Sequence, residues 1–418
     1  MGTLGFSIVL PFLVFLVVDF GGNSVIYGIL SSIYPAFQLI GAPILGRWSD
    51  TLGRKKVLLI STAGTLIGWI IFLFALYMPK FDLIDIDTAL IGAFTLSLPL
   101  VVLFAARAID GLTGGNVSVA NAYIADLSND KTRSKNFGKM AISSNLGFIV
   151  GPALAGILGG TIYGNILPVL IAIFVSFVAL IAIWILLKES NKLTKEIPPI
   201  QKNSVQRAYS YECKDCFNPL NPDKLKFKDI FKLKNIPLFM ALYFFIFLGF
   251  NIFYTSFPIH AVSSLKWTIT EMGIFYAILS GLMILVQGPI LKKASQIFSE
   301  GNLIIIGSFI LGVNFILFFS NSIILIYLAT ILFAVGNGLM WPSFMSILSK
   351  FAGKVHQGAV QGVASSIGSL ASIIGLILGG FLYNSIGSPT FLVAAVIIFV
   401  VFALSFKILK IQRTFKVN

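Results

Sequence analysis

Residues 46–56 read Gly46-Arg47-Trp48-Ser49-Asp50-Thr51-Leu52-Gly53-Arg54-Lys55-Lys56. This short, hydrophilic, basic stretch lies between two long apolar runs, residues 24–45 and 57–78. Each run is long enough to cross a bilayer, since ~20 apolar residues span its hydrocarbon core. A tight turn between them makes an antiparallel helical hairpin. The glycines permit the turn, and Asp50 lies four residues before Arg54, within ion-pairing reach.

The same pattern extends along the chain. Of its 418 residues 57% are hydrophobic and only 11% charged, against about 25% charged in soluble domains. Twelve apolar spans are predicted, at 2–20, 24–45, 57–78, 98–125, 136–160, 166–187, 236–257, 270–291, 302–320, 323–348, 358–381 and 388–407. Of the 30 Lys and Arg residues, all but Lys80, Arg107 and Lys266 fall on one side of this topology. That is the positive-inside bias, so the 46–56 turn and both termini are cytoplasmic. The same placement makes the net charge of +14 a matter of orientation, with no nucleic-acid partner. Residues 79–97 carry Asp82, Asp85, Asp87 and a further apolar run. They are expected to be an external loop with a partly embedded extension of the third or fourth helix. The first Lys or Arg is Arg47, so no signal peptide precedes the first span. That span is short, and Met1 is expected to be a late start.

An internal repeat divides the spans into halves at 1–187 and 236–418, joined by a cytoplasmic linker at 188–235. A shift of 220 residues pairs Gly138, Leu158, Gly159, Gly160 and Tyr163 with Gly358, Leu378, Gly379, Gly380 and Tyr383. A shift of 246 pairs Pro43-Ile44-Leu45 with Pro289-Ile290-Leu291, but turns Asp50 into Gln296 and Arg54 into Glu300. The halves are expected to be parallel in structure and unequal in chemistry, the second lacking the charge pattern. The linker holds 11 basic and 6 acidic residues. Its segment from Lys224 to Lys234 reads either as a basic linker or as a short helix on anionic lipid. Cys213 and Cys216 are the only cysteines. They supply two of the four ligands a structural zinc needs, and the cytoplasm disfavours a disulfide. No metal or cofactor is predicted.

The fourth span carries the charges. At 100° per residue, Arg107, Asp110, Gly111, Gly114, Ser118 and Asn121 share one face. A charge near the bilayer centre costs roughly 2.5–3.5 kcal/mol on insertion scales, so such residues face a cavity or a partner. Arg107 and Asp110 are three residues apart and can pair. Burial and a neighbouring arginine act on a carboxyl in opposite senses. A group so balanced can take up and release a proton as access alternates; the alternative is a structural ion pair that never titrates. In the fifth span, Ser144, Gly147, Gly151 and Ala155 make a face that another helix can approach closely, and Pro152 can bend the helix.

Together these motifs resemble a known family. The turn matches the G-x-x-x-D-x-x-G-R-K/R pattern between helices 2 and 3 of major facilitator transporters. Arg107-x-x-x-Gly111-x-x-Gly114-Gly115 is similar to the fourth-helix motif of their drug/proton antiporter branch. Gly147-x-x-x-Gly151-Pro152-x-x-x-Gly156 is similar to its antiporter motif. Tetracycline/proton antiporters look most similar, sharing also Gln357-Gly358-x-x-Gln361-Gly362 ahead of the eleventh span. The resemblance implies proton transfer at the arginine. It also implies a cytoplasmic latch among Asp50, Arg54 and Asp126, with Gly46 and Gly53 shaping the turn. Two departures stand out. Gly2 occupies the place of a first-helix aspartate in those antiporters, and Asp110 replaces a small neutral residue, which moves the expected proton site to Asp110 and puts tetracycline itself in doubt.

The C-terminal half carries no mid-membrane charge. Gln38, Asn251, Asn337 and Trp341 are the residues chosen as substrate contacts, through amide hydrogen bonds and stacking. The resulting expectation is an all-α membrane protein of twelve transmembrane helices in two pseudo-symmetric halves, the major facilitator fold. It would be a monomer in a bacterial inner membrane, in contact with lipids, exporting small amphipathic compounds against protons. The alternatives are an importer of a metabolite or siderophore, and a transport-dead sensor or scaffold. No nucleophile–base pair or phosphate loop is present, so no enzyme is expected.

Overall fold

The computed structural model describes residues 2–9, 11–88, 91–114, 116–127, 133–190, 231 and 235–417. The linker cysteines and, apart from Phe231, the Lys224–Lys234 segment lie outside these residues.

The first predicted span is two seven-residue helices, α1 (Gly2–Ile8) and α2 (Leu13–Asp19). Pro11 stands between them and has no N–H to continue a helical ladder. Helix α3 (Ser24–Leu52) begins at Asn23, whose Oδ1 accepts the N–H groups of Val25 and Ile26 at 3.0 and 3.1 Å. It ends at Gly53, and α4 (Arg54–Tyr77) starts at the next residue. One residue turns the chain, and its φ of +98° is open to glycine at little cost.

Residues 79–97 differ from the expectation of a loop with an embedded helical extension. They contain an antiparallel hairpin, β1 (Asp82–Thr88) and β2 (Gly92–Ser97), with Asp85 opposite Thr95 and Ile86 opposite Phe94. The physical reason is period. Ile84-Asp85-Ile86-Asp87 alternates apolar and polar residues every second position, the pattern of a strand with one covered face.

The N-terminal half continues with α5 (Leu98–Thr113), α6 (Asn116–Asp126), α7 (Arg133–Gly159) and α8 (Ile166–Leu186). The C-terminal half has α9 (Ile236–Ser263) and α10 (Ile269–Leu285), the latter opened by a Thr268/Glu271 capping box. A π turn at Val286–Ile290, around Pro289, leads into α11 (Leu291–Ile297), and the three pieces make one span. Helices α12 (Glu300–Leu317), α13 (Ile323–Ile386) and α14 (Thr390–Val417) follow.

Helix α13 contains two spans. Phe333 meets Phe253 and Phe351 meets Phe239, so its first part runs antiparallel to α9. Gly368 faces Tyr243 and Tyr383 faces His260, so its second part runs parallel to α9. The chain therefore reverses between Phe351 and Val360. Among the described residues, ten helices are long and apolar enough to cross a membrane.

Lipid tails are as apolar as leucine, so association of these helices rests on packing. Phenylalanines fill the C-terminal half, where Phe257 stacks on Phe275 at 4.2 Å and Phe253 contacts Phe315, Phe318 and Phe333 within 5.3 Å. A second apolar cluster joins Phe12, Leu16, Phe72 and Leu103 of the N-terminal half to Ile259 and Tyr383 of the other. The halves touch near their outer ends. A Cβ at Gly28 would sit 2.6 Å from the Leu376 carbonyl and 3.2 Å from Gly380 Cα, and one at Gly156 would overlap Gly273. The contacts between the halves gather, among the described residues, at these outer ends.

Candidate transport site and cytoplasmic gate

Helix α5 buries both of its charges. Arg107 Nη1 lies 3.4 Å from Asp110 Oδ2, with side chains 4% and 9% exposed. The guanidinium also stands over the Tyr34 ring of α3, 4.9 Å from its centroid, a cation–π contact that strengthens when desolvated. Asp110 faces α4: a Cβ on Gly68 would be 3.1 Å from the aspartate's own Cβ. The pair borders a small cavity lined also by Trp69, Phe72 and Ala106.

The single polar face expected of the fourth span is thereby divided. Asp110 turns to α4, whereas Gly111 and Gly114 receive Tyr34 and Phe37 of α3, and Ser118 is exposed. Thr113 ends α5 and α6 starts only at Asn116. Gln38 Nε2 donates to the Gly114 carbonyl at 2.8 Å and lies 3.3 Å from the Tyr34 hydroxyl. This proposed substrate contact thus holds the C-cap carbonyl of α5.

At the cytoplasmic face, Arg54 Nε meets Asp126 Oδ2 at 3.0 Å, and Arg54 Nη1 donates to Ser49 at 2.6 Å. Gly46 and Asp50 lie in the last turns of α3, and the Asp50 side chain is outside the described residues. Glu189, missed in the sequence, completes the cluster. Its carboxylate accepts the N–H groups of Arg54 and Lys55 at 2.8 and 3.1 Å, where a negative charge suits a helix N-terminus. It sits against Gly53, where a side chain would collide with it. The available signal was an acid directly after the sixth span.

The other half has a counterpart, so its charge pattern is reversed in sign instead of lost. Glu300 at the start of α12 accepts Lys350 Nζ at 2.6 Å and also the Ser346 hydroxyl. Gln412 of α14 accepts the Gly301 N–H at 2.9 Å, as Glu189 does for Arg54.

The fifth-span glycines are contact points. The Gly147 carbonyl accepts the Ser7 hydroxyl at 2.8 Å, and a Cβ on Gly151 would lie 2.9 Å from the Ile8 nitrogen. Pro152 lies inside α7, and Gly156 crosses Gly273. Two of the four chosen substrate residues border Phe247, Asn251 at its carbonyl and Trp341 at its ring. Asn251 Nδ2 donates to Phe247 O at 2.7 Å and Ser372 Oγ at 3.0 Å. Trp341 meets Phe247 and Tyr243 edge-on, each at 5.4 Å. Asn337, one turn before Trp341, points to Met283 Sδ at 3.8 Å, and Gln38 stands in the opposite half.

The family model of the Major Facilitator Superfamily matches residues 1–313 and 239–417. The class C tetracycline resistance protein of Escherichia coli is 26% identical over 392 residues, covering 93% of this chain and 88% of that one. Multidrug resistance protein 2 of Bacillus subtilis (strain 168) is 24% identical over 362 residues, covering 85% and 80%. The crystal structure of the human organic anion transporter MFSD10 superposes with a TM-score of 0.64 at 20% identity, covering 97% of this chain and 96% of that one. That of a D-xylose–proton symporter gives 0.69 at 14%, covering 95% and 93%. With the two halves, the basic turn and the buried fourth-helix charges in place, the chain belongs to the Major Facilitator Superfamily and is a membrane transporter, not an enzyme.

Proposed function

We propose that the protein exports small amphipathic organic compounds from a bacterial cytoplasm by exchange for protons. The observation that carries this reading is the ion pair of Arg107 and Asp110, buried inside a membrane helix. A charged pair in that position needs a compensating use or a compensating partner. Asp110 is the only carboxylate within the predicted spans between 24 and 125. The matched tetracycline and multidrug resistance proteins support export of organic compounds.

In the mechanism, substrate enters from the cytoplasmic side and rests against Asn251 and Trp341. Asp110 takes a proton from outside when the outer ends part, and releases it inside when they close. Gain or loss of that proton changes the attraction to Arg107 and shifts the balance between the two access states. Lipids surround a monomer, and no cofactor takes part.

The test is the purified protein in liposomes that enclose a pH-sensitive dye, with an imposed proton gradient and a panel of amphipathic drugs and siderophores. Substrate-triggered proton flux in wild type that is lost in Asp110→Asn is the expected result. Flux unchanged by the substitution would reduce the aspartate to a structural ion. Substrate movement with no proton flux would sink antiport.

A further inference from the structure

We propose that the β1–β2 hairpin is a lid, fixed to the N-terminal half, that holds the outer seam between the halves shut. Three sets of hydrogen bonds attach it to the α2–α3 connection. Thr95 N–H donates to Gly21 O at 2.9 Å, and the Ser97 hydroxyl donates to Phe20 O at 2.7 Å. Asn23 Nδ2 donates to Ile91 O at 2.8 Å and Ala93 O at 3.2 Å. The hairpin must therefore travel with the N-terminal half.

One neighbour lies across the seam: a Cβ on Gly92 would lie 3.3 Å from Asn384 Nδ2, at the outer end of α13. Ile91, Phe94 and Leu96 pack on an apolar cluster built chiefly from the N-terminal half, which Tyr383 and Ile259 of the other half join. Nearby, Gly28 crosses Gly380. Opening to the outside must part Gly92 from Asn384 and Gly28 from Gly380, and the apolar surface uncovered at the joint cluster would face the membrane–water boundary. The lid thus favours the inward-facing state.

Asn23 separates the lid from the helix it touches. Its Oδ1 caps α3 while its Nδ2 holds the hairpin. Aspartate keeps the cap but has no N–H to donate, so Asn23→Asp removes one of the three attachments, loosening the lid while sparing the helix. Asn384→Ala trims the side chain that meets the hairpin from the opposite half. The experiment uses full-length protein with Cys213→Ser and Cys216→Ser, spin-labelled at Ile162→Cys and Ser385→Cys, exposed outer positions in opposite halves. Interspin distances report the populations, and hydrogen exchange of β2 reports lid release. Each variant is expected to raise the ratio of outward-open to inward-open protein about threefold, the scale of one hydrogen bond. Wild-type distances in Asn384→Ala, or in an Asn23→Asp protein whose β2 amides exchange faster, would overturn the proposal. Unchanged exchange in Asn23→Asp would overturn it as well, because the Asn23 bonds would then contribute nothing to fastening the hairpin.

Discussion

Arg107 and Asp110 depend on each other for burial. Removing one member of a buried pair leaves an uncompensated charge, at a cost of roughly 3–5 kcal/mol, whereas replacing both can be nearly neutral. Arg107→Ala is therefore expected to lower thermal stability in detergent sharply, and Arg107→Met combined with Asp110→Leu, apolar residues of similar volume, to recover most of the loss. Both residues were legible in the sequence, because charges are conspicuous in an apolar run. Their surroundings were not. A helical wheel places Asp110 with Gly111 and Gly114, but it cannot say that α4 brings Gly68 to the aspartate while α3 brings Tyr34 to the glycines. Glu189 escaped for a related reason: its partner Arg54 is 135 positions away, and no local spacing encodes that meeting.

Long elements were easier to read than short ones. Apolar runs of about 20 residues announce themselves, and the helices from α3 onward cover the expected spans, although α5 and α6 share the fourth and α13 runs through the tenth and eleventh. The failures came where a local rule competed with length. Pro11 divided the first span, Pro289 inserted a π turn, and six-to-seven-residue strands hid inside a loop. The crossing of α7 and α10 offers a direct test. Gly156 and Gly273 leave no room for a side chain, so Gly156→Val is expected to pry the outer ends apart. Ile259→Cys, buried in the apolar cluster joining the halves, should then react about tenfold faster with a membrane-impermeant maleimide. An unchanged rate would mean that the two helices can slide past each other without opening the seam.

At the scale of the molecule, the repeat indicated two halves parallel in structure and unequal in chemistry, and the structure adds that the ion pairs at their cytoplasmic ends have opposite sign: Arg54 with Asp126 in one, Glu300 with Lys350 in the other. Glu300→Lys alone is expected to cut substrate transport severalfold by placing like charges together. Glu300→Lys with Lys350→Glu should restore at least half of it, since the pair is regained. Transport unaffected by the single change would show that this second latch is only a surface ion pair, worth ~1 kcal/mol or less. The buried charges and the first of these ion pairs lie on the same predicted span, and α3 supplies a second connection beside it: the Arg107 guanidinium stands over Tyr34, the Tyr34 hydroxyl meets Gln38, and Gln38 holds the Gly114 carbonyl at the end of α5. Tyr34 and Gln38 thus act as a splint along the middle of that span.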